Sequence, residues 1–226
     1  MLYLIISIAG IVILIIMIVL FFIFKDSIKT KILESEAEKG TSEIKFATSM
    51  MFFQGIGVKK NEDKGLKYLK IAADEGHAQA QYLYAGTLIN KYGTNDPNTY
   101  KEIGDNLLKS AENGFLEAIL AVSTLYGKGT IFPQDKTRAI YWLTIAAQKG
   151  HLESQMQIAN LLNDTHGADK VEAYAWYEVA SANGDNTAKS LALSLYNKFS
   201  DEDKVKATER ANNYLTDYVH SNINIQ

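Results

Sequence analysis

The stretch Lys64-Gly65-Leu66-Lys67-Tyr68-Leu69-Lys70-Ile71-Ala72-Ala73-Asp74-Glu75-Gly76-His77-Ala78-Gln79-Ala80-Gln81 decides the fold. It reads as the Ala-rich end of one helix, a glycine stop, and the opening of a second helix. The same closing glycine recurs at Gly40, Gly114, Gly150 and Gly184, so the five stand 36, 38, 36 and 34 residues apart. A fixed period of that length marks a helical repeat, in which each unit buries its apolar face on its neighbours and no single central core forms.

Aligning the chain on these glycines defines the unit. Four residues on come Ile44, Ala80, Ala118, Ser154 and Ala188; eight on, Thr48, Tyr84, Val122, Ile158 and Ala192; twelve on, Phe52, Leu88, Tyr126, Leu162 and Tyr196. Steps of four fall on one helical face. Each unit therefore opens with a helix of about a dozen residues, interrupted by a glycine-bearing turn. A second helix is predicted to begin at Asn61, Asp96, Asp135 and Asp169, whose side chains suit an N-cap, with Pro97 at a first helical position and Glu172 completing a capping box with Asp169. Tyr68 and Trp142 stand 28 residues after their glycines, and Trp176 takes the matching place in a unit two residues shorter. Their spacing predicts wedges packed between helices.

Residues 1–24 carry no charged side chain and are almost wholly Ile, Leu, Val, Phe and Met. As a helix they would extend roughly 36 Å, enough to cross a hydrocarbon layer of about 30 Å. A secretory leader would need a basic start and a small-residue cleavage site, and neither is present, so a membrane helix is predicted. Lys25, Lys29 and Lys31 follow the apolar segment and no basic residue precedes it, which favours a cytoplasmic C-terminal domain at the inner membrane. Asp26 and the small number of charges leave the periplasmic side open.

The remaining chain is mildly acidic, because the whole net charge of −3 lies beyond residue 24. Nucleic-acid binders show a basic footprint that interspersed Lys and Glu do not supply. The absence of cysteine excludes disulfides, thiolate metal sites and cysteine nucleophiles. His77 and His151 hold the same place in different units and so do not converge on a metal. Gly55-Ile56-Gly57 lacks the other residues of a phosphate loop and reads as a turn. No catalytic, cofactor or metal site is predicted, nor a small-molecule substrate. An enzymatic alternative, such as a hydrolase, would need a converging acid, base or nucleophile.

The motif Gly76-His77-Ala78-Gln79-Ala80-Gln81, the turn Phe53-Gln54-Gly55-Ile56-Gly57-Val58, the tract Lys64 to Ala73 and Ala173-Tyr174-Ala175-Trp176-Tyr177 resemble Sel-one-like repeats, which are related to tetratricopeptide repeats. The resemblance spans about residues 34–218. It implies an all-α, right-handed α/α solenoid of four to five helix-turn-helix repeats, here at about 40–76, 77–114, 115–150, 151–184 and a partial 185–199. Ahead of them stand the membrane helix (1–24) and a connecting helix (25–39). Behind them come a capping helix at 200–219, opened by Ser200 before Asp201, Glu202 and Asp203, and a frayed tail at 220–226. The resemblance also implies an adaptor or scaffold for protein partners, often at membranes, or in some bacterial relatives a neutraliser of secreted effectors; it carries no catalytic residue. On successive first helices, Phe46, Tyr82, Leu120 and Met156, with their neighbours Gln81, Ile119 and Gln155, are expected to line a partner-binding groove. Core packing is the alternative for the same row.

Overall fold

The computed structural model describes residues 25, 27–93, 96–164 and 169–220. The predicted membrane helix at 1–24 and the tail from 221 onward lie outside these residues. Among the described residues, no helix is long and apolar enough to cross a membrane.

The described chain is helical throughout. Residues 27–39 form α1, followed by α2 (Ser42–Gln54), α3 (Glu62–Asp74), α4 (Ala78–Tyr92) and α5 (Pro97–Glu112). Beyond these come α6 (Leu116–Lys128), α7 (Lys136–Gln148), α8 (Leu152–Asn163), α9 (Asp169–Ala182), α10 (Asn186–Tyr196) and α11 (Asp201–Leu215), with a π-helical turn at Thr216–His220. They form two compact units, one up to Asn113 and one from Gly114 onward.

The helix starts follow from residues that satisfy exposed backbone N–H groups. Asn61, Asp96 and Asp135 accept from the amides of Lys64, Thr99 and Arg138, as the sequence predicts. Ser200 does the same for Asp203. Two starts use an unexpected cap. His77 Nδ1 accepts from Ala80 N at 3.1 Å and His151 Nδ1 from Ser154 N at 3.2 Å, a task that fixes each imidazole at a helix end. Asp169, predicted to cap, is instead the first residue of α9, and the residues before it lie outside the described ones.

The stop before each histidine is a reversal that only glycine adopts cheaply. Gly76 and Gly150 have φ of +92° and +88°, and the amides of His77 and His151 reach back to the carbonyls of Ala72 and Ala146. Gly40 differs, since its φ is not positive; what it lacks is room, because an added Cβ would stand 2.7 Å from Ile44 Cγ2.

In the first unit, α1 closes the exposed end of the α2–α3 hairpin. Ala37 and Leu33 pack with Phe52, Val58, Tyr68 and Met51. In the second unit, Leu143, Ala147, Ile158, Trp176, Tyr177, Val179, Ala188 and Leu195 share one core spanning α7 to α10. Tyr214 of α11 and Tyr218 of the π turn flank Trp176, with ring centroids 5.0 and 5.4 Å away. The predicted wedges are therefore buried: Tyr68 is 1%, Trp142 9% and Trp176 2% exposed.

Close helix crossings set the tolerance of these hairpins. At Gly65 in α3, a Cβ would meet the Phe53 ring at 2.8 Å. Gly to Ala inside a helix ordinarily gains up to about 1 kcal/mol. Here overpacking costs about 1–3 kcal/mol. Gly65→Ala is therefore expected to lower the urea midpoint of unfolding, and a raised midpoint would show that α2 and α3 can move apart freely.

Candidate functional site

The residues expected to line a groove divide into two sets. Gln81, Ile119 and Gln155 are 2%, 0% and 0% exposed, and the partner-binding expectation for these three is corrected: they are interior residues. Phe46, Tyr82, Leu120 and Met156 are half-buried. Phe46 stacks on His77 with ring centroids 4.5 Å apart, and Met156 packs against the core of the second unit.

The glutamines are inside because both ends of each amide find partners there, one of them a carbonyl at the end of the preceding Ala-rich helix that can accept a second hydrogen bond beside that from the closing glycine. Gln81 Nε2 donates to Ala73 O at 3.1 Å, and its Oε1 accepts from Asn113 Nδ2 at 3.0 Å. In the second unit Gln155 Nε2 donates to Ala147 O at 3.0 Å and accepts from Asn183 Nδ2 at 3.1 Å. Both asparagines stand one residue before a repeat-closing glycine.

The same two places carry other chemistry elsewhere. In the first repeat Lys45, 9% exposed, donates to Gly40 O at 2.8 Å and pairs with Glu75 at 2.6 Å. In the third, Ile119 is apolar and Lys149 lies over Gly114, its Nζ 3.2 Å from where a Cβ would be. The pairs Lys45/Glu75, Gln81/Asn113, Ile119/Lys149 and Gln155/Asn183 are alternative fillings of one structural slot. Alignment on the glycines exposes these pairs once both positions are compared, yet a lone Gln, Asn, Lys or Glu at either position gives no sign of its partner.

Tyrosine, carboxylate and cation meet on the outer faces. In the first unit Tyr84 donates to Glu102 at 2.9 Å, Lys70 pairs with the same Glu102 oxygen at 3.1 Å, and the Lys70 ammonium lies 5.1 Å from the centre of the Tyr84 ring. Burial opposes ionisation of Glu102, but hydrogen bonds from Lys70 and Tyr84 and the lysine charge outweigh it and hold its pKa below the ordinary value. Burial, with the adjacent Glu102 carboxylate, pushes the Tyr84 phenol up to about 12. In the second unit Tyr214 donates to Glu172 at 2.6 Å while Arg210 pairs with that carboxylate at 3.2 Å. Burial and Glu172 raise the Tyr214 phenol.

The first trio lies in a cleft of about 420 Å³, lined also by Asp63, Leu66, Leu88 and Tyr92. Tyr92, 55% exposed, stands at the end of α4, and Lys91 beside it pairs with Asp63 at 3.4 Å. In the second unit α7 presents Ile140 and Tyr141, 41% and 59% exposed, with the Tyr141 ring edge-on to Trp142. Large tyrosines steadied by a neighbour, Tyr141 by buried Trp142 and Tyr92 by the Lys91 ammonium 5.5 Å from its ring centre, bring contact area at little entropic cost, the usual character of a protein-binding anchor.

A model of the Sel1 repeat matches residues 45–77, 116–151 and 154–185. In these three segments the chain is similar to the Sel1 repeat. The α4–α5 hairpin lies outside the matched segments, yet it has the same Gln–Asn pair as the matched segment 154–185. A crystal structure of a Sel1 repeat protein from Oxalobacter formigenes superposes with a TM-score of 0.60 at 25% identity, covering 75% of this chain and 50% of that one. Lower similarity extends to a protective antigen with an SLR fold present in uropathogenic Escherichia coli strains (18% identity, TM-score 0.46, 85% of this chain and 49% of that one). An immunity protein from Pseudomonas aeruginosa gives 17% identity and a TM-score of 0.40, over 84% of this chain and 72% of that one. The chain thus spans about half the length of the first two. A Sel1 repeat array is suited to protein–protein interaction, as helix pairs stacked in series offer extended surface rather than a closed pocket.

Two outcomes test this site's physics. Glu75→Asn alone leaves the Lys45 ammonium without its carboxylate and is expected to cost about 1–3 kcal/mol. Adding Lys45→Gln imports the neighbouring repeat's pair and should restore stability to within about 1 kcal/mol of the parent by urea unfolding. For Tyr84, a phenol whose pKa is raised on folding contributes stability that is complete below the unfolded value near 10 and lost as pH climbs toward about 12. Absorbance titration at alkaline pH should show a late phenolate step that Tyr84→Phe reduces. The same substitution should raise the Glu102 pKa measured by NMR, since one of the hydrogen bonds favouring the carboxylate is gone.

Proposed function

We propose that this chain is a scaffold that binds a protein partner through its Sel1 repeats and is held at a membrane by residues 1–24, with no catalysis of its own. The observation that carries the reading is the presence of anchored, solvent-facing tyrosines on repeat hairpins whose interiors are already filled: Tyr92 beside the α4–α5 cleft and Tyr141 on α7. These rings satisfy no core. They supply the apolar area with a polar tip that protein interfaces favour, beside carboxylate and ammonium groups that give orientation.

The tether is supported by the composition of residues 1–24, which hold no charge over a length sufficient to span a bilayer. Lys25, Lys29 and Lys31 directly after it support a cytoplasmic repeat domain at a bacterial inner membrane. Confinement to a surface raises the effective concentration of any partner in the same membrane, so modest contacts suffice.

A photo-crosslinking residue at position 92 or 141, introduced in the full chain in its native membrane, should capture one and the same protein. Tyr92→Ala should weaken binding of that protein about tenfold or more while leaving the melting temperature unchanged. No adduct at either position, together with turnover of a substrate by the purified chain, would overturn the scaffold reading. Protease digestion of the C-terminal residues only after cells are opened would agree with the cytoplasmic orientation.

A further inference from the structure

α1 and the turn between α2 and α3 bring together lysines that are far apart in sequence. A cleft of about 440 Å³ is lined by Ser27, Thr30 and Lys31 of α1, Lys59 and Lys60 of the turn, and Lys64 of α3. Its acidic member is Glu34, which pairs with Lys64 at 3.0 Å and so pins α3 to α1. Lys60 pairs with Glu62 at 2.9 Å, but both side chains are well exposed and a contact of that kind is readily exchanged. Among the described residues Lys31 and Lys59 have no carboxylate partner. In a chain whose net charge is −3, this is a local excess of positive charge.

Its position gives that charge a partner. Lys31 lies four residues beyond Ser27, roughly 6 Å along α1, and a charge acts over a Debye length of about 8–10 Å. The uncharged segment 1–24 ends three residues before Ser27. A bilayer spanned by that segment would have its headgroup layer within reach of Lys31 and of the lysines folded against it. Ile28 and Ile32, 53% and 57% exposed, add apolar surface to the same helix as Lys31. Hydroxyls of Ser27 and Thr30 add donors suited to phosphate oxygens.

We propose that this cleft binds the headgroup of an anionic phospholipid of the membrane that residues 1–24 span, fixing the orientation of the first repeat on the bilayer. The inference rests on the tether reading above. It assigns to Lys59 and Lys60 a role that their sequence position, 35 and 36 residues past the apolar segment, does not suggest.

The test uses the full chain in lipid nanodiscs, of phosphatidylcholine alone or with a third of phosphatidylglycerol, and reads hydrogen exchange at the amides of residues 57–60. Exchange should slow on the anionic discs, and high salt should abolish the slowing. Lys59→Gln with Lys60→Gln should reduce the docked-to-free ratio about fivefold per lysine. Inorganic phosphate added to neutral discs should not reproduce the slowing. If it does, the cleft takes a free anion and the lipid assignment is overturned. Equal exchange on both discs, from a chain that still co-elutes with them, overturns the inference and leaves the tether intact. A chain that separates from neutral discs once detergent is removed overturns both.

Discussion

The satisfaction of helix-end carbonyls at the seams between hairpins is the constraint on which the rest of each unit depends. Alanines such as Ala72, Ala73, Ala146 and Ala147 let neighbouring helices come close, and all four are essentially buried. Close approach excludes the water that would otherwise bond the last carbonyls of a helix. Those groups must then be met by protein. Glycine reversals return one amide to a carbonyl of the preceding helix, and the buried side chain five residues later takes another. Gln81 and Gln155 add a second donor to the Ala73 and Ala147 oxygens, which already accept from the amides of Gly76 and Gly150. Packing and polarity thus meet at this seam: Gln81 and Gln155 tie two repeats to the preceding helix end by hydrogen bonds, and Ile119 fills the same place by packing alone.

The slot also shows how a repeat can vary without losing its fold. Lys45/Glu75 supplies a charged version, Gln81/Asn113 and Gln155/Asn183 a neutral one, and Ile119/Lys149 an apolar one whose cation lies over the glycine instead. The charged and neutral versions pair their two members directly, whereas the Ile119 version does not. Mixing members of different pairs would leave a donor or charge unmatched, so the two positions are constrained together even though they lie 28 to 32 residues apart in the chain.

Much of the helical frame was legible because it is written in local chemistry. The glycine period, the four-residue apolar steps and the caps at Asn61, Asp96 and Asp135 each act within one turn of their own position. The wedge role of Tyr68, Trp142 and Trp176 followed from size and spacing. What was not legible depends on contacts across repeats. Gln81 and Gln155 look like groove residues because glutamine is usually exposed, and only the Ala73 and Ala147 carbonyls facing them explain their burial. His77 and His151 were read as structural from their repeat position, but imidazole is an uncommon N-cap and its bond to the third amide on was not anticipated. The clefts, too, need three dimensions: Lys70, Tyr84 and Glu102 belong to three different helices, and nothing in their spacing announces that they share a carboxylate.

A scaffold's function depends on which surfaces its own folding leaves unspent, and here the two kinds of tyrosine separate clearly. Tyr84 and Tyr214 spend their hydroxyls on carboxylates that a cation also holds, which fixes them as framework, and burial together with those carboxylates raises their pKa. Tyr92 and Tyr141 keep more than half their surface in solvent while a neighbour steadies the ring. Rigidity is what makes exposure useful, because a ring already held loses little freedom on contact. The framework tyrosines therefore serve the exposed ones indirectly: by anchoring α4 to α5 through Glu102, the Tyr84 bond holds in place the cleft at whose edge Tyr92 stands. A partner docking there would meet a surface set before it arrives, and its specificity would be written in the carboxylate and lysine positions around the ring more than in the ring itself.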